Sequence, residues 1–259
     1  MFVAKTLNSL PDIVATHEGH VIRENKSPAL PLLNFHNRKA WYDPDFAAHT
    51  VAKMRSKDVL VAATNDASVF VDIAFNNAPF MGALAAQHPA AKFMAIFRRC
   101  EGFVRSATVV IGEDTQPAGW PDRNKQLTDR EKFIELGRLK PSHDSEFGEL
   151  WDDWSAIQRN IWLWTTVNSH LFDFIQRTDA ANKLLFEDLV DDPMTFWDVC
   201  LTAIGQKSLD KLERCVALSA RKTNQRVTYQ IGPATEWSKA ERALHEKLAL
   251  PLEEKIYGR

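Results

Sequence analysis

Residues 90–110 read AAKFMAIFRRCEGFVRSATVV. An apolar run, Phe93 to Phe97, ends in two arginines, Arg98 and Arg99. A segment of helical period follows, with Phe103, Val104, Ala107 and Val110 on the repeat and Ser106 among them. Buried strand, cations, then helix start is the layout of an anion site in an open α/β sheet. Ligands there sit outside the carboxyl ends of the strands, against helix amino termini. The same residues also fit strand-end charges held in water.

Working outward, the chain has 259 residues, 45% hydrophobic and 25% charged. That length suits one large α/β domain, and 1–259 is read as a single unit. The net charge of −2 gives no global field for nucleic acid, so an anion site must be local. The three cysteines, Cys100, Cys200 and Cys215, form no CxxC pair and leave an odd one out. A reducing compartment without a metal framework is the expectation. No apolar run approaches the ~18 residues of a membrane span. The first residues carry neither the apolar core nor the cleavage site of a signal peptide. The expected location is cytoplasmic, without membrane insertion.

Helices are expected at Phe2 to Ser9, Asp45 to Arg55, Ala67 to Asn76 and Pro79 to His88. Short buried strands are expected at Ile13 to Thr16, Val59 to Ala63, Phe93 to Phe97 and Leu184 to Phe186. Gly112 to Asn124, with two prolines and Gly119, reads as a lid-like loop. Thr128 to Leu136 reads as a short helix opened by a capping box. Ser145 to Arg177 reads as one long helical region. Its tryptophans, Trp151, Trp154, Trp162 and Trp164, are expected in the core, because helical spacing alone makes such a stripe. Pro193 opens a helix closed by Gly205, and Ser238 caps a last one. Strands alternating with helices argue for a parallel central sheet covered on both faces.

Four segments, in order along the chain, together resemble the sulfotransferases that use 3′-phosphoadenosine 5′-phosphosulfate (PAPS). In HPAAKFMAIFRRCEGFVRS, the residues Pro89, Lys92, Arg98 and Ser106 stand at the spacing of that family's 3′-phosphate segment. Arg99–Cys100 replaces its usual Asp-Pro. LLFEDLVDDP, Leu184 to Pro193, is similar to the family's segment before a helix that ends in glycine. FVAKTLNSLPDIVATHEGH, Phe2 to His20, is similar to its first helix and the strand that ends in an acidic residue. RKTNQ, Arg221 to Gln225, is similar to a basic loop that closes over the nucleotide, and Trp237 and Tyr257–Gly258 follow in family style. The resemblance implies a P-loop-type sulfotransferase fold. The family opens with a strand and a Gly-rich loop that cradles the 5′-phosphosulfate. This sequence begins in the helix that follows. The expectation is an N-terminally truncated chain, with a natural variant lacking that half of the site as the other reading.

The resemblance implies sulfuryl transfer from PAPS, without a metal, to a hydroxyl or amine. Arg98 and Ser106 would hold the 3′-phosphate. Arg221, Lys222 and Asn224 would close over the nucleotide. Lys5 would lie near the phosphosulfate if the amino end of its helix points there. The base is Glu18, with His17 and His20 as alternatives. Glu187 and Asp188 read as structural groups at a strand end. Asn65 and Asp66 are placed where an acceptor could sit. The polar and aromatic stretches around Trp41 and Trp120 suit a carbohydrate, as they would another hydroxylated metabolite. Three other readings stay open: a non-catalytic binding protein on the same fold, a P-loop phosphotransferase, and a helical interaction module built on the tryptophans.

Overall fold

A computed structural model describes residues 2–21, 29–64, 67–111, 114–117, 138–220 and 230–258. The chain opens with α1 (Phe2–Leu7), β1 (Ile13–His17) and β2 (His20–Val21). Next come α2 (Asn37–Tyr42), α3 (Pro44–Met54), α4 (Lys57–Thr64), β3 (Val69–Ile73), α5 (Met81–Gln87), β4 (Phe93–Phe97) and α6 (Cys100–Ala107). A hairpin follows, β5 (Thr108–Ile111) with β6 (Asp114–Pro117). The rest is α7 (Glu146–Leu150), α8 (Ala156–Gln176), β7 (Ala181–Leu185), α9 (Phe186–Asp191), α10 (Pro193–Ala203), α11 (Leu209–Ser219), α12 (Lys239–Leu244) and α13 (Leu250–Tyr257).

The architecture is α/β, with a small parallel sheet between helices. The sheet comes in two parts. β1 pairs β3 in parallel, with β2 antiparallel on the far side, and β4 pairs β7 in parallel. One core joins the parts. Ile13 and Ala15 of β1, Leu184 of β7 and the partly buried Met94 and Ile96 of β4 pack under α1, α10 and α11 around Phe196 and Trp197. On the other face of β4, Ala95 and Phe97 pack against α6, α8 and α13. A smaller cluster gathers Leu33, Ala40, Ala47, Val51 and Phe80 around α2 and α3.

Two expected elements exchange identity. Val59 to Ala63 is helical, not a buried strand: α4 has Asp58 in its first turn, and Ser56 Oγ accepts from Val59 N–H at 3.3 Å. Val61 is 61% exposed, so the apolar run is a surface helix. Five consecutive apolar residues fit either structure, and the capping serine decides between them. Ala67 to Asn76 is not helical either. Its center is β3, whose Val-Phe-Val-Asp-Ile run favors the pleated backbone and finds a partner in β1. The long helical region breaks at Trp151 to Ser155, where Ser155 and Gln158 form a capping box that restarts the helix as α8. All four of its tryptophans are buried, with Trp151 and Trp162 edge to face at 5.4 Å. Val110 lies in β5, beyond the helix expected to contain it. Of Gly112 to Asn124, the described residues Asp114–Pro117 pair with β5, and the rest lies outside the described residues, as does the Thr128 to Leu136 helix.

The carboxyl ends of β1 and β3 are tied by a buried network. Asp72 Oδ1 accepts from Thr16 Oγ1 at 2.9 Å, and its Oδ2 accepts from Arg55 Nε at 3.0 Å. Arg55, 3% exposed, also donates to Pro31 O, and its own carbonyl meets the side chains of Gln87 and His88. Removing one member leaves a buried charge without its partner. Asp72→Ala should lower the unfolding free energy by about 3–5 kcal/mol, whereas the paired change Arg55→Met with Asp72→Leu should cost clearly less. Urea denaturation of the two variants compares these losses directly.

Candidate functional site

Two clusters of polar residues stand at carboxyl ends of strands, one on each part of the sheet. The first is built on β4 and α6. Arg98 follows the last residue of β4, and its carbonyl accepts from Trp164 Nε1 of α8 at 2.8 Å. Its guanidinium stacks on Phe186, 4.7 Å from the ring center. The side chain then runs along α6 over Gly102, where a Cβ would come within 3.1 Å of Nε. Ser106 stands four residues further on, one turn along the same helical face. Arg98, Gly102 and Ser106 therefore form one strip: cation, bare backbone, hydroxyl. The 98, 102, 106 spacing is legible in the sequence, but only the fold shows Gly102 lying beneath the Arg98 side chain.

The amino end of α6 is already filled. Glu187 Oε1 accepts from Arg99 N–H at 2.9 Å, and Glu253 Oε1 accepts from Cys100 N–H at 2.6 Å. Two protein carboxylates thus occupy the positive end of the helix. Arg99 turns to them as well, pairing with Glu253 at 3.5 Å and stacking on Tyr257 at 4.1 Å. Tyr257 donates its hydroxyl proton to Glu187 Oε2 at 2.9 Å, and burial together with that carboxylate pushes its phenol well above the ordinary range. Arg99 and Glu187 are thus both engaged at the amino end of α6. α8 holds the far end of α6, where Asn160 Nδ2 donates to Ala107 O and Thr108 Oγ1.

The second cluster is the turn between β1 and β2. His17 pairs with His20 across it, so Glu18 and Gly19 are a two-residue hairpin loop. Both have positive φ, +51° and +79°, which is a type I′ turn. Glu18 is therefore at the tip of a turn rather than at the end of an open strand. Its N–H donates to Ile73 O at 3.0 Å, and its carbonyl contacts His20 Nδ1 at 3.0 Å. The turn brings His17, Glu18 and His20 together. Arg138 lies close by: burial lowers its guanidinium to about 10, against the pull of the Glu18 carboxylate. No pattern in the sequence marks Arg138, which reaches this place only through the packing of residues 138–140 against α2, where Arg138 O accepts from Arg38 Nε. Asp72 and Arg55 complete this side, and only once Ala67 to Asn76 is seen to hold a strand does Asp72 come to the end of β3.

Lys5 is exposed on α1, while Val3 and Leu7 of that helix line a cavity. Arg221, Lys222, Asn224, Asn65 and Asp66 lie outside the described residues. The cavity, about 1200 Å³, runs between the two parts of the sheet, with Arg55 and Asp72 on one wall and Arg98 on the other. All three cysteines are buried free thiols; burial raises Cys200 to about 12 and Cys215 to about 11, which makes both unreactive. Among the described residues no helix is long and apolar enough to cross a membrane. Comparison with protein-family models, with curated proteins and with solved structures returned no match.

Burial holds the imidazoles of His17, His170 and His245 below their ordinary range. A histidine depressed in the folded state binds fewer protons there than in the unfolded chain. Stability is then full above the unfolded value near 6.5 and falls as the pH drops from there toward the folded values. The urea midpoint should decrease between pH 7.5 and 5, and His17→Gln should flatten that decrease.

Proposed function

We propose that the protein is a PAPS-dependent sulfotransferase on a P-loop-type fold, acting on a hydroxyl or amine of an acceptor such as a carbohydrate. The observation that carries the proposal is the strip formed by Arg98, Gly102 and Ser106. A guanidinium laid over a glycine, with a hydroxyl one turn on, offers a phosphate several donors without a side chain in the way. The amino end of α6 is taken by Glu187 and Glu253, so in this reading the phosphate meets the helix along its side, at Arg98 and Ser106. A parallel sheet between helices, with polar groups at the carboxyl ends of its strands, agrees with a nucleotide-binding α/β protein.

In this reading the acceptor oxygen attacks sulfur in line with the bridging oxygen of the 5′-phosphosulfate. The new S–O bond forms as the old one breaks, and 3′,5′-bisphosphoadenosine leaves. The acceptor proton passes to Glu18, which sits on a rigid turn. His17 is the second candidate, because burial keeps its imidazole neutral and able to accept a proton near pH 7. Arg221, Lys222 and Asn224 are proposed to close over the nucleotide, and Lys5 to lie toward the phosphosulfate. The competing reading is a protein on the same fold that binds the nucleotide without turnover. Adding PAPS and an acceptor, with a thermal shift and a product assay read together, separates the two.

Arg98→Ala should weaken PAPS binding by roughly 1.5–3 kcal/mol and Ser106→Ala by about 1 kcal/mol, by isothermal titration. A normal affinity in both variants would remove the clamp assignment. Glu18→Asn should lower kcat by ~100-fold while leaving PAPS affinity unchanged. It should also raise unfolding stability by up to about 1 kcal/mol, because asparagine suits the left-handed first position of this turn better than glutamate. Unchanged turnover in Glu18→Asn would transfer the base role to His17.

A further inference from the structure

The cavity between the two parts of the sheet follows its walls from end to end. All of β3 lines it, and so do Phe93, Met94, Ala95 and Ile96 of β4. Strand residues rise about 3.3 Å each, so walls of this length make a slot roughly 16 Å long. Val3 and Leu7 of α1 and Val167 and Leu171 of α8 add to an apolar lining. The volume, about 1200 Å³, is that of a site for an organic molecule rather than for a few waters.

One polar side chain on this lining lacks a partner. Asn77, just beyond the carboxyl end of β3, is 8% exposed, and its Oδ1 accepts no hydrogen bond. Its backbone N–H is already used, donating to Ala74 O at 3.2 Å. Its Nδ2 lies 3.5 Å from Asp72 O, longer than an ordinary hydrogen bond. Two acceptors, Asn77 Oδ1 and the weakly held Asp72 carbonyl, therefore belong to one end of the slot. A buried acceptor without a donor is costly. A lone water is a poor remedy, because it needs two to four polar partners and most of this wall is apolar. What the end of the slot lacks is a hydrogen-bond donor, and what its length lacks is hydrocarbon.

We propose that this slot binds an elongated apolar alcohol, whose hydroxyl donates to Asn77 Oδ1 and whose hydrocarbon body lies along β3 and β4. A pure hydrocarbon would fill the volume and leave Asn77 unmet. A carboxylate would bring oxygens without a proton against two acceptors. An ammonium would lose its hydration in an apolar slot, and the one carboxylate on the lining, Asp72, is already engaged by Arg55 and Thr16. A neutral hydroxyl supplies the missing donor without a charge. The proposal stands apart from the sulfuryl-transfer reading: it uses neither Ser106 nor Glu18 and needs no nucleotide.

Methionine methyl resonances of the full chain test it. Met81 and Met94 line the cavity, whereas Met194 stands exposed on α10 and serves as the control. The probe is n-decanol, kept below its solubility limit. It should shift the Met81 and Met94 signals saturably and leave Met194 in place. Its methyl ether, which keeps the chain and loses the donor, should bind at least ~10-fold more weakly. Asn77→Leu, close in volume, should still admit both molecules and bring that ratio to about one. The proposal falls if Met81 and Met94 do not respond, if the ether binds the unaltered chain as tightly as the alcohol, or if Asn77→Leu keeps the preference. It falls equally if decanoate binds more tightly than the alcohol, which would move the polar end to Arg98, or if the same signals shift with protein concentration alone, which would give the slot to a second copy. Should Asn77→Leu not fold, the comparison of alcohol and ether on the unaltered chain decides by itself.

Discussion

The pair of carboxylates on the amino end of α6 is the constraint on which the candidate site rests. Glu187 comes from the start of α9 and Glu253 from α13, and they accept from Arg99 and Cys100 N–H. Those two N–H groups lack intrahelical partners in any helix. Here charged acceptors satisfy them inside the protein, where such bonds are strong. Arg99 then pairs with the charge on Glu253, and Tyr257 donates a hydrogen bond to Glu187. The turn after β4 is held from three elements at once, so Arg98 is delivered to the face of α6 that carries Gly102 and Ser106.

The same arrangement separates two roles that adjacent arginines might share. Arg99 is a structural cation with a carboxylate and an aromatic ring as neighbors. Arg98 is laid over a glycine and turned toward the cavity between the parts of the sheet. A second rigid unit, the Arg55–Asp72–Thr16 network, fixes the carboxyl ends of β1 and β3 and the turn that carries Glu18. The two polar clusters thus stand on separately braced halves, with the cavity between them.

Much of this was legible in the residues. The Phe93–Phe97 run, Arg98 and the start of α6 follow from apolar periodicity and charge placement, and so do the tryptophan core and the helix from Pro193 closed at Gly205, whose φ is +67°. The capping serine of the last helix, Ser238, is legible in the sequence, and Ser56, which caps α4, is what separates helix from strand in the apolar run that follows it. These features depend on neighbors within four residues, which is the range over which a sequence dictates its own geometry.

What the sequence determined by itself was therefore the α/β alternation, the strand that ends at Arg98 and the chemical character of the candidate groups. Tertiary structure decided which of those groups meet. Glu253 lies 153 positions from the N–H it caps, and Arg138 reaches Glu18 only through the packing of a distant segment. β3 became a strand because β1 offered it a parallel partner, and the division of the sheet between β3 and β4 exists only once both have folded. Backbone pairing and charge compensation act across space without any periodic trace in the chain, and for that reason the cavity and its two facing edges could be found only in the folded molecule.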